Sequence, residues 1–472
     1  MTRWWEAAVV YQIYPRSFAD SDGNGSGDLE GIRQHLDHLS DLGVDALWMS
    51  PITPSPDVDW GYDVSDYTGI HPDFGTLGDF DALAGDAHAR GLKVILDLVP
   101  NHTSIEHPWF REHADWYVWA DQVPNNWLSV FGGGAWAHDA ETGRYYLHSF
   151  YAEQPDLDWS NPAVGAAIAD AMRFWLDRGA DGFRLDAISR IAKDPALRDD
   201  PPATGPPVLP LPEEYGRLRH VYSRNFENVE ERLAVLRTAA GDALLVGEVF
   251  LPTAGLPRYL RHIDLAFAFE LMFARWDPEE IARILDEGWR GLAWTLSNHD
   301  FPRVASRVGE ENVRLAATLT LTLPGAAFVY QGDEIGLQDG PGAHPPHDRR
   351  GRDFARHPMQ WTAEPLAGFT TGTPWLPPID PAERNVADQR RDPGSLLNMY
   401  RELIRLRRDM PLEFELLGVD GAVLSYRRGD FTVALNFSGD ERPNPCGGEV
   451  VFVTHTGAPG TIRPHGAVVV KT

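Results

Sequence analysis

The sequence predicts an α/β fold: a (β/α)8 TIM barrel with an inserted subdomain after strand 3 and a small C-terminal antiparallel β domain. Three observations predict it. Short apolar, β-branched runs alternate with amphipathic helical stretches eight times. Two segments interrupt that spacing. Past about residue 411 the runs turn short and alternating, with no helical stretch between them.

The eight runs are 8–14, 46–50, 93–99, 182–186, 244–249, 265–269, 294–297 and 327–330. Near-continuous apolar strands of this kind are buried on both faces, and eight of them closing on themselves make a barrel filled with side chains. The stretch 162–178 shows what a connecting helix looks like. Val164, Ile168, Met172 and Trp175 recur at helical spacing, and Gly179 stands ready as its C-cap. The segment 101–161, rich in aromatic, Gly and polar residues, is too long for a bare βα loop and reads as an inserted domain. Within 194–215, seven prolines (Pro195, Pro201, Pro202, Pro206, Pro207, Pro210 and Pro212) make a stiff excursion over the face that carries the site. The predicted organisation is therefore barrel at 1–100, insert at 101–161, barrel again at 162–410, and a β domain at 411–472.

Charge and cysteine content narrow the function. Asp and Glu number 69 against 42 Lys and Arg, a formal net charge of −27, which repels polyanions and excludes a nucleic-acid partner. The lone Cys446 excludes an intramolecular disulfide framework and thiolate metal clusters. No signal-peptide pattern opens the chain, and no apolar run reaches the ~18–20 residues that span a bilayer. A soluble, cytoplasmic protein without a membrane partner, monomer or homodimer, is expected.

In a TIM barrel the chemistry sits at the C-terminal ends of the strands. The third run ends in DLVPNH (97–102), the fourth in GFRLDA (182–187), the fifth in VGEVF (246–250) and the seventh in LSNHD (296–300). A single Asp after a strand is ordinarily a helix cap or turn residue. Capping needs no accompanying histidine and no arginine two residues before the acid, so four acidic endings, three of them with a histidine or arginine, point to a shared site. Convergent carboxylates without metal-binding histidine pairs suit glycoside hydrolysis, which needs one carboxylate nucleophile and one carboxylic acid.

These four motifs resemble the signature regions of glycoside hydrolase family 13, the α-amylase family. QPDLDW (154–159) resembles a fifth region in the form typical of its oligo-1,6-glucosidase/α-glucosidase branch; GYDVSDY, QGDEIGL and RHPMQW extend the likeness along nearly the whole chain. The resemblance implies Asp186 as nucleophile, Glu248 as general acid/base, and Asp300 as the third carboxylate, binding sugar hydroxyls. It implies that His102 and His299 donate to hydroxyls of a bound glucose, with Asp97 ordering that network. Arg184, two residues before Asp186 and so on the same strand face, should hold the nucleophile ionised. Asp59 and Arg356 match positions that close the pocket around the non-reducing-end glucose, with Tyr62 stacked on that sugar. Ala187, after the nucleophile, is the small residue found in α-1,4-preferring members. The implied activity is a retaining, exo-acting α-glucosidase acting on small, maltose-like α-glucosides, with transglucosylation at its side. An isomerase, transglucosidase or sucrose-splitting enzyme of the same family is the alternative. A non-catalytic family-13-like subunit is the remote one.

The segment DSDGNGSGD offers oxygens at alternating positions, from Asp20, Asp22, Asn24, the Ser26 carbonyl and Asp28, with Gly25 at the sharp turn. Gly31 stands where an EF-hand would carry its bidentate glutamate. The segment resembles the structural Ca2+ or Mg2+ loop of oligo-1,6-glucosidases, and a metal there is structural, not catalytic. A plain Asx-rich turn is the other reading.

Overall fold

The computed structural model describes residues 3–207, 209–342, 348–455, 457 and 460–472. Strands follow in chain order: β1 (Val9–Ile13), β2 (Ala46–Met49), β3 (Lys93–Leu98), β4 (Trp119–Ala120), β5 (Trp136–His138), β6 (Tyr145–Leu147), β7 (Gly182–Leu185), β8 (Leu244–Gly247), β9 (Leu265–Phe267), β10 (Leu292–Trp294) and β11 (Ala326–Tyr330). Among the described residues, eight of them close a parallel barrel in the order β1-β11-β10-β9-β8-β7-β3-β2. Registers run Val9 to Ala327 across the closing seam and Asp97 to Arg184 between β3 and β7.

The apolar runs form strands because both of their faces are covered. Every residue of β1, β2, β7, β8 and β11 is buried. One set of side chains, including Val10, Trp48, Ile95, Val246, Phe267 and Phe328, fills the barrel interior. The other packs outward against the helices, among them Pro162–Asp177, which buries Val164, Ile168, Met172 and Trp175 as the spacing predicts. Gly182 is required where β7 meets β8: a Cβ there would lie 2.5 Å from the Leu244 carbonyl oxygen.

One strand is displaced from its expected place. The sequence puts the seventh strand at 294–297, whereas β10 is Leu292–Trp294. Past Trp294 the polar side chains turn to local backbone: Thr295 Oγ1 donates to the Ser297 carbonyl at 2.7 Å, and Ser297 Oγ accepts from Val304 N at 2.7 Å. Those bonds bend the chain out of the ladder and leave Leu292, behind Gly291 at φ +77°, to begin the strand.

The insert between β3 and β7 carries a three-stranded antiparallel sheet, β4-β6-β5, over a small core of Trp127, Ala135, Trp136 and Leu147. The proline-rich excursion is pinned to that insert. Asn126 and Asp200 exchange two hydrogen bonds of 2.9 Å, Trp127 Nε1 donates to the Arg198 carbonyl at 2.8 Å, and Asn125 donates to the Leu197 carbonyl at 3.1 Å.

Beyond the barrel lie β12 (Glu415–Asp420), β13 (Val423–Arg428), β14 (Phe431–Asn436), β15 (Arg442–Pro443), β16 (Glu449–Val453), β17 (Thr461–Ile462) and β18 (Ala467–Lys471). Five of these form an antiparallel sheet, β12-β13-β14-β18-β16. Its inner face, Leu424, Tyr426, Phe431 and Val433, is continuous with the barrel's helix layer. Among the described residues, no helix is long and apolar enough to cross a membrane.

Candidate active site

Alternation along β7 turns Arg184 into the barrel, and the β3–β7 register sets Asp97 beside it. The guanidinium gathers three acids. Nη1 donates to Asp186 Oδ1 at 2.6 Å and to Asp97 Oδ1 at 2.9 Å, while Nη2 lies 2.9 Å from Glu248 Oε1. Asp186 and Glu248, on different strands, are thus held a few ångström apart by one planar fork.

Ala187 fixes the turn that follows. It adopts a left-handed conformation, φ 46° and ψ 31°, uncommon for a residue with a Cβ. That conformation aims its backbone N–H at Glu248 Oε2, 3.0 Å away. Strain at a residue wedged between two acids is the kind that surrounding structure sustains at working sites.

The charge balance is informative. Burial pushes the Asp186 carboxyl well above the ordinary value, and negative Glu248 and Asp97 add to that against the pull of Arg184. Burial likewise lifts Asp97 to about 6. Arg184 thus favours the ionised nucleophile, as its spacing predicts, but burial and the neighbouring acids outweigh it, so Arg184 alone does not hold Asp186 ionised.

Asp300 differs. Burial opposes its charge, yet its carboxyl is held well below the usual range by the groups around it. Its Oδ1 accepts from Arg352 Nη1 and Arg356 Nη2, each at 3.0 Å. Burial depresses His299 to about 3, so at neutral pH the imidazole is uncharged and the two guanidiniums supply the positive field. His299 is fully buried: its Nδ1 lies 2.8 Å from Gln12 Nε2, its Nε2 lies 2.7 Å from the Tyr62 hydroxyl, and its ring stacks on Tyr62. Burial also drops His102 to about 4, leaving it a neutral hydrogen-bonding group.

A cavity of about 290 Å3 opens over these residues, lined by Asp59, Tyr62, His102, Asp186, Glu248 and Asp300 among others. Arg352 closes its inner end, donating to both Asp59 and Asp300. Here the sequence reading needs correcting. Arg356 is expected to grip the sugar with Asp59, but it is sealed beneath the site, bonded to the His299 carbonyl at 2.9 Å and to Asp300. The partner of Asp59 is Arg352, four residues earlier; the short helical turn Asp353–Ala355 between them sends one guanidinium to the cavity and the other behind it. The segment RGRDFARHPMQW contains both arginines, and only the turn's geometry distinguishes them.

Further residues enter that sequence reading passed over. Gln154, the first residue of QPDLDW, donates to Asp59 Oδ2 at 3.0 Å and lies 3.1 Å from His102 Nε2. Lys193 bridges Asp156 at 2.9 Å and Asn101 at 3.0 Å, bracing the strand end that bears His102. Pro210, Leu211, Pro212 and Tyr215, of the excursion that the sequence sets over this face, form one wall of the cavity, together with Arg190 and Arg224, which the sequence reading did not single out.

In the loop at 20–28, one carboxylate oxygen from each of Asp20, Asp22 and Asp28 lies within 4.8 Å of the others. Asn24 Oδ1 accepts from Ser26 N, and Asp28 also caps the helix Leu29–Gln34 through Gly31 N. Three converging hard oxygen donors fit a Ca2+ or Mg2+ ion. The cluster Asp57, His71 and Asp73 does not: Arg16 donates into it at 2.8 and 3.0 Å and already supplies its counter-charge.

Residues 12–413 match the family described as alpha amylase, catalytic domain. A probable alpha-glucosidase of Rhizobium meliloti (strain 1021) is 41% identical over 485 residues, covering 90% of this chain and 87% of that one. An oligo-1,6-glucosidase of Parageobacillus thermoglucosidasius is 39% identical over 480 residues, covering 86% and 84%. The crystal structure of an alpha-glucosyl transfer enzyme, XgtA, aligns with a TM-score of 0.92 at 37% identity and covers 99% of each chain.

Proposed function

The chain belongs to the α-amylase family of glycoside hydrolases, and from that membership and its site we propose a retaining, exo-acting α-glucosidase that releases glucose from the non-reducing end of short α-glucosides. The observation that carries the proposal is the grip of Arg184 on both Asp186 and Glu248, facing a cavity whose far end Arg352 ties shut against Asp59 and Asp300. On this reading one glucose lies against that closed end with its anomeric carbon toward the acids.

Asp186, kept beside the Arg184 cation, attacks the anomeric carbon while Glu248 gives its proton to the departing glycosidic oxygen. The glucose is left bonded to Asp186 and the aglycone departs as an alcohol. Glu248, now a carboxylate, takes a proton from water as the water's oxygen displaces Asp186, which restores both acids and the original anomeric configuration. Asp300, ionised by its two arginines, accepts hydrogen bonds from sugar hydroxyls and stabilises positive charge developing on the ring. His102 remains neutral and orients within the same network.

The small side chain of Ala187 supports a preference for α-1,4 linkages. A second reading, transfer of glucose to a sugar or alcohol in place of water, is favoured by the similarity to the α-glucosyl transfer enzyme; both share the glucosyl–Asp186 intermediate. Asp20, Asp22, Asn24, the Ser26 carbonyl and Asp28 would hold a structural Ca2+ or Mg2+, which would tie the loop after β1 and take no part in the chemistry. A cytoplasmic setting is part of the same proposal and is supported by the single cysteine.

The test is hydrolysis of maltose, isomaltose, sucrose and trehalose separately, with the anomer of the product followed by NMR. Maltose cleaved with release of α-glucose is the expected outcome. Inert maltose beside turnover of another disaccharide overturns the substrate assignment. Asp186→Ala should lower kcat on the order of 10⁴-fold or more, and substantial residual activity would refute the nucleophile.

A further inference from the structure

Two arginines that line the catalytic cavity have no carboxylate within ion-pair distance among the described residues. Arg190, in the turn Ile188–Arg190 that follows the nucleophile, is 6% exposed. It donates one hydrogen bond, from Nη2 to the Tyr215 hydroxyl at 2.7 Å, and lies over the rings of Phe150 and Tyr215. Arg224 donates from Nη1 to the Phe250 carbonyl at 3.3 Å, and its Nε is buried with no hydrogen-bond partner among the described residues. Both line the cavity.

A guanidinium offers five N–H donors, and a buried cation without a counter-charge is costly. Several other buried arginines find partners within the fold; the Arg303 side chain bonds only the Gln331 carbonyl, but it does not line the cavity. Arg184, Arg352 and Arg356 take carboxylates, and Arg407 is bonded to the carbonyls of Ala7, Leu321, Leu323 and Gly325. Among the described residues neither Arg190 nor Arg224 has a carboxylate within 4 Å: Arg190 bonds only a hydroxyl and Arg224 only the Phe250 carbonyl, and both side chains line the cavity. Burial, with repulsion from Arg190, pulls Arg224 below the ordinary arginine value. In a chain of net charge −27, two cavity-lining cations without a direct ion pair are not a product of composition.

Their place defines what they meet. The closed end, at Asp59, Arg352 and Asp300, belongs to the glucose. Glu248 protonates the leaving group, so the aglycone lies on its side of the cavity, and Arg224 is fastened to Phe250, two residues beyond Glu248. We propose that Arg190 and Arg224 form an anion-binding aglycone site, so that preferred substrates are α-glucosides whose aglycone carries a carboxylate or phosphate. This rests on the α-glucosidase reading above and sharpens it to a substrate class.

Matched pairs test it. Maltitol and maltobionate differ only in a hydroxymethyl group against a carboxylate at the end of the aglycone; trehalose and trehalose 6-phosphate differ by the phosphate. The charged member of at least one pair should have the higher kcat/KM, by about tenfold or more, and which pair responds identifies carboxylate or phosphate. In Arg190→Gln and Arg224→Gln that ratio should fall toward one. Independently of folding in the variants, gluconate should inhibit hydrolysis of 4-nitrophenyl α-glucoside by the unmodified enzyme more strongly than sorbitol, less so at high salt. No preference for the charged member in either pair, or a preference that both variants retain, overturns the proposal. If maltose and all four compounds are inert, it is the glucosidase reading that falls.

Discussion

Arg184 Nη1 lies 2.6 Å from Asp186 Oδ1 and only slightly farther, 2.9 Å, from Asp97 Oδ1. One nitrogen thus serves the nucleophile and a second acid that never faces the substrate cavity. The negative charge of Asp97 opposes ionisation of Asp186, and burial has lifted Asp97 itself to about 6. Removing that charge in Asp97→Asn should let Asp186 ionise at lower pH. The acid limb of the kcat/KM profile should move down by about one pH unit, whatever happens to the maximum. An unmoved limb, or one displaced to higher pH, would show that Asp97 does not share the nucleophile's charge.

Arg352 and Arg356 both reach Asp300 but stand on opposite sides of it. Arg352→Met opens the closed end and strands Asp59, and kcat/KM on maltose should drop by about 2–5 kcal/mol of transition-state binding while the melting temperature changes little. Arg356→Met removes a fully buried cation from beneath the site, so its main signature should be a loss of stability of about 3–5 kcal/mol in denaturant unfolding. The reverse pattern would restore Arg356 to the sugar.

How far the sequence carried these conclusions depends on what each residue's role was made of. The barrel was legible because its strands are buried on both faces, and burial writes itself as an uninterrupted apolar run; β11 differs from its expected bounds by one residue at its start. Asp186, Glu248 and Asp300 were legible because each directly follows such a run, save that β10 ends before the polar bend leading to Asp300. Arg352, Gln154, Arg190 and Arg224 were not. Their positions are set by loops whose paths depend on cross-chain hydrogen bonds such as Asn126 to Asp200, and no periodicity in the chain encodes those.

Asp333, in the turn after β11, gives the fold a pH signature separate from catalysis. Burial raises it from 3.8 to about 7, and its Oδ1 is without a hydrogen-bond partner among the described residues. The folded protein therefore binds this proton more tightly than the unfolded chain does. That stabilisation is fully present below the unfolded value of 3.8 and is lost as pH rises through about 7. Across that window the slope from this one group is at most about 1.4 kcal/mol per pH unit. Asp333→Asn should flatten the fall in unfolding free energy between pH 4 and 7; equal slopes in the two proteins would show that Asp333 is ionised when folded.

The loop at 20–28 predicts a response to cations. Millimolar Ca2+ or Mg2+ should raise the melting temperature by a few degrees, as expected of a ligand bound only by the folded state, and EDTA should reverse it with kcat at 25 °C unchanged. Asp22→Ala alters an exposed member of the set and should abolish the response. A melting temperature indifferent to both cation and chelator would leave an Asx-rich turn.

β1 sits between β2 and β11, with Val9 paired to Ala327. While the protein is being synthesised, the first strand leaves the ribosome long before its second neighbour is translated, and one edge of the nascent sheet has nothing to pair with for some three hundred residues. The final cooperative step of folding must join the two ends of the barrel sequence. Truncation anywhere before Tyr330 should therefore yield an aggregation-prone fragment, not a smaller stable barrel.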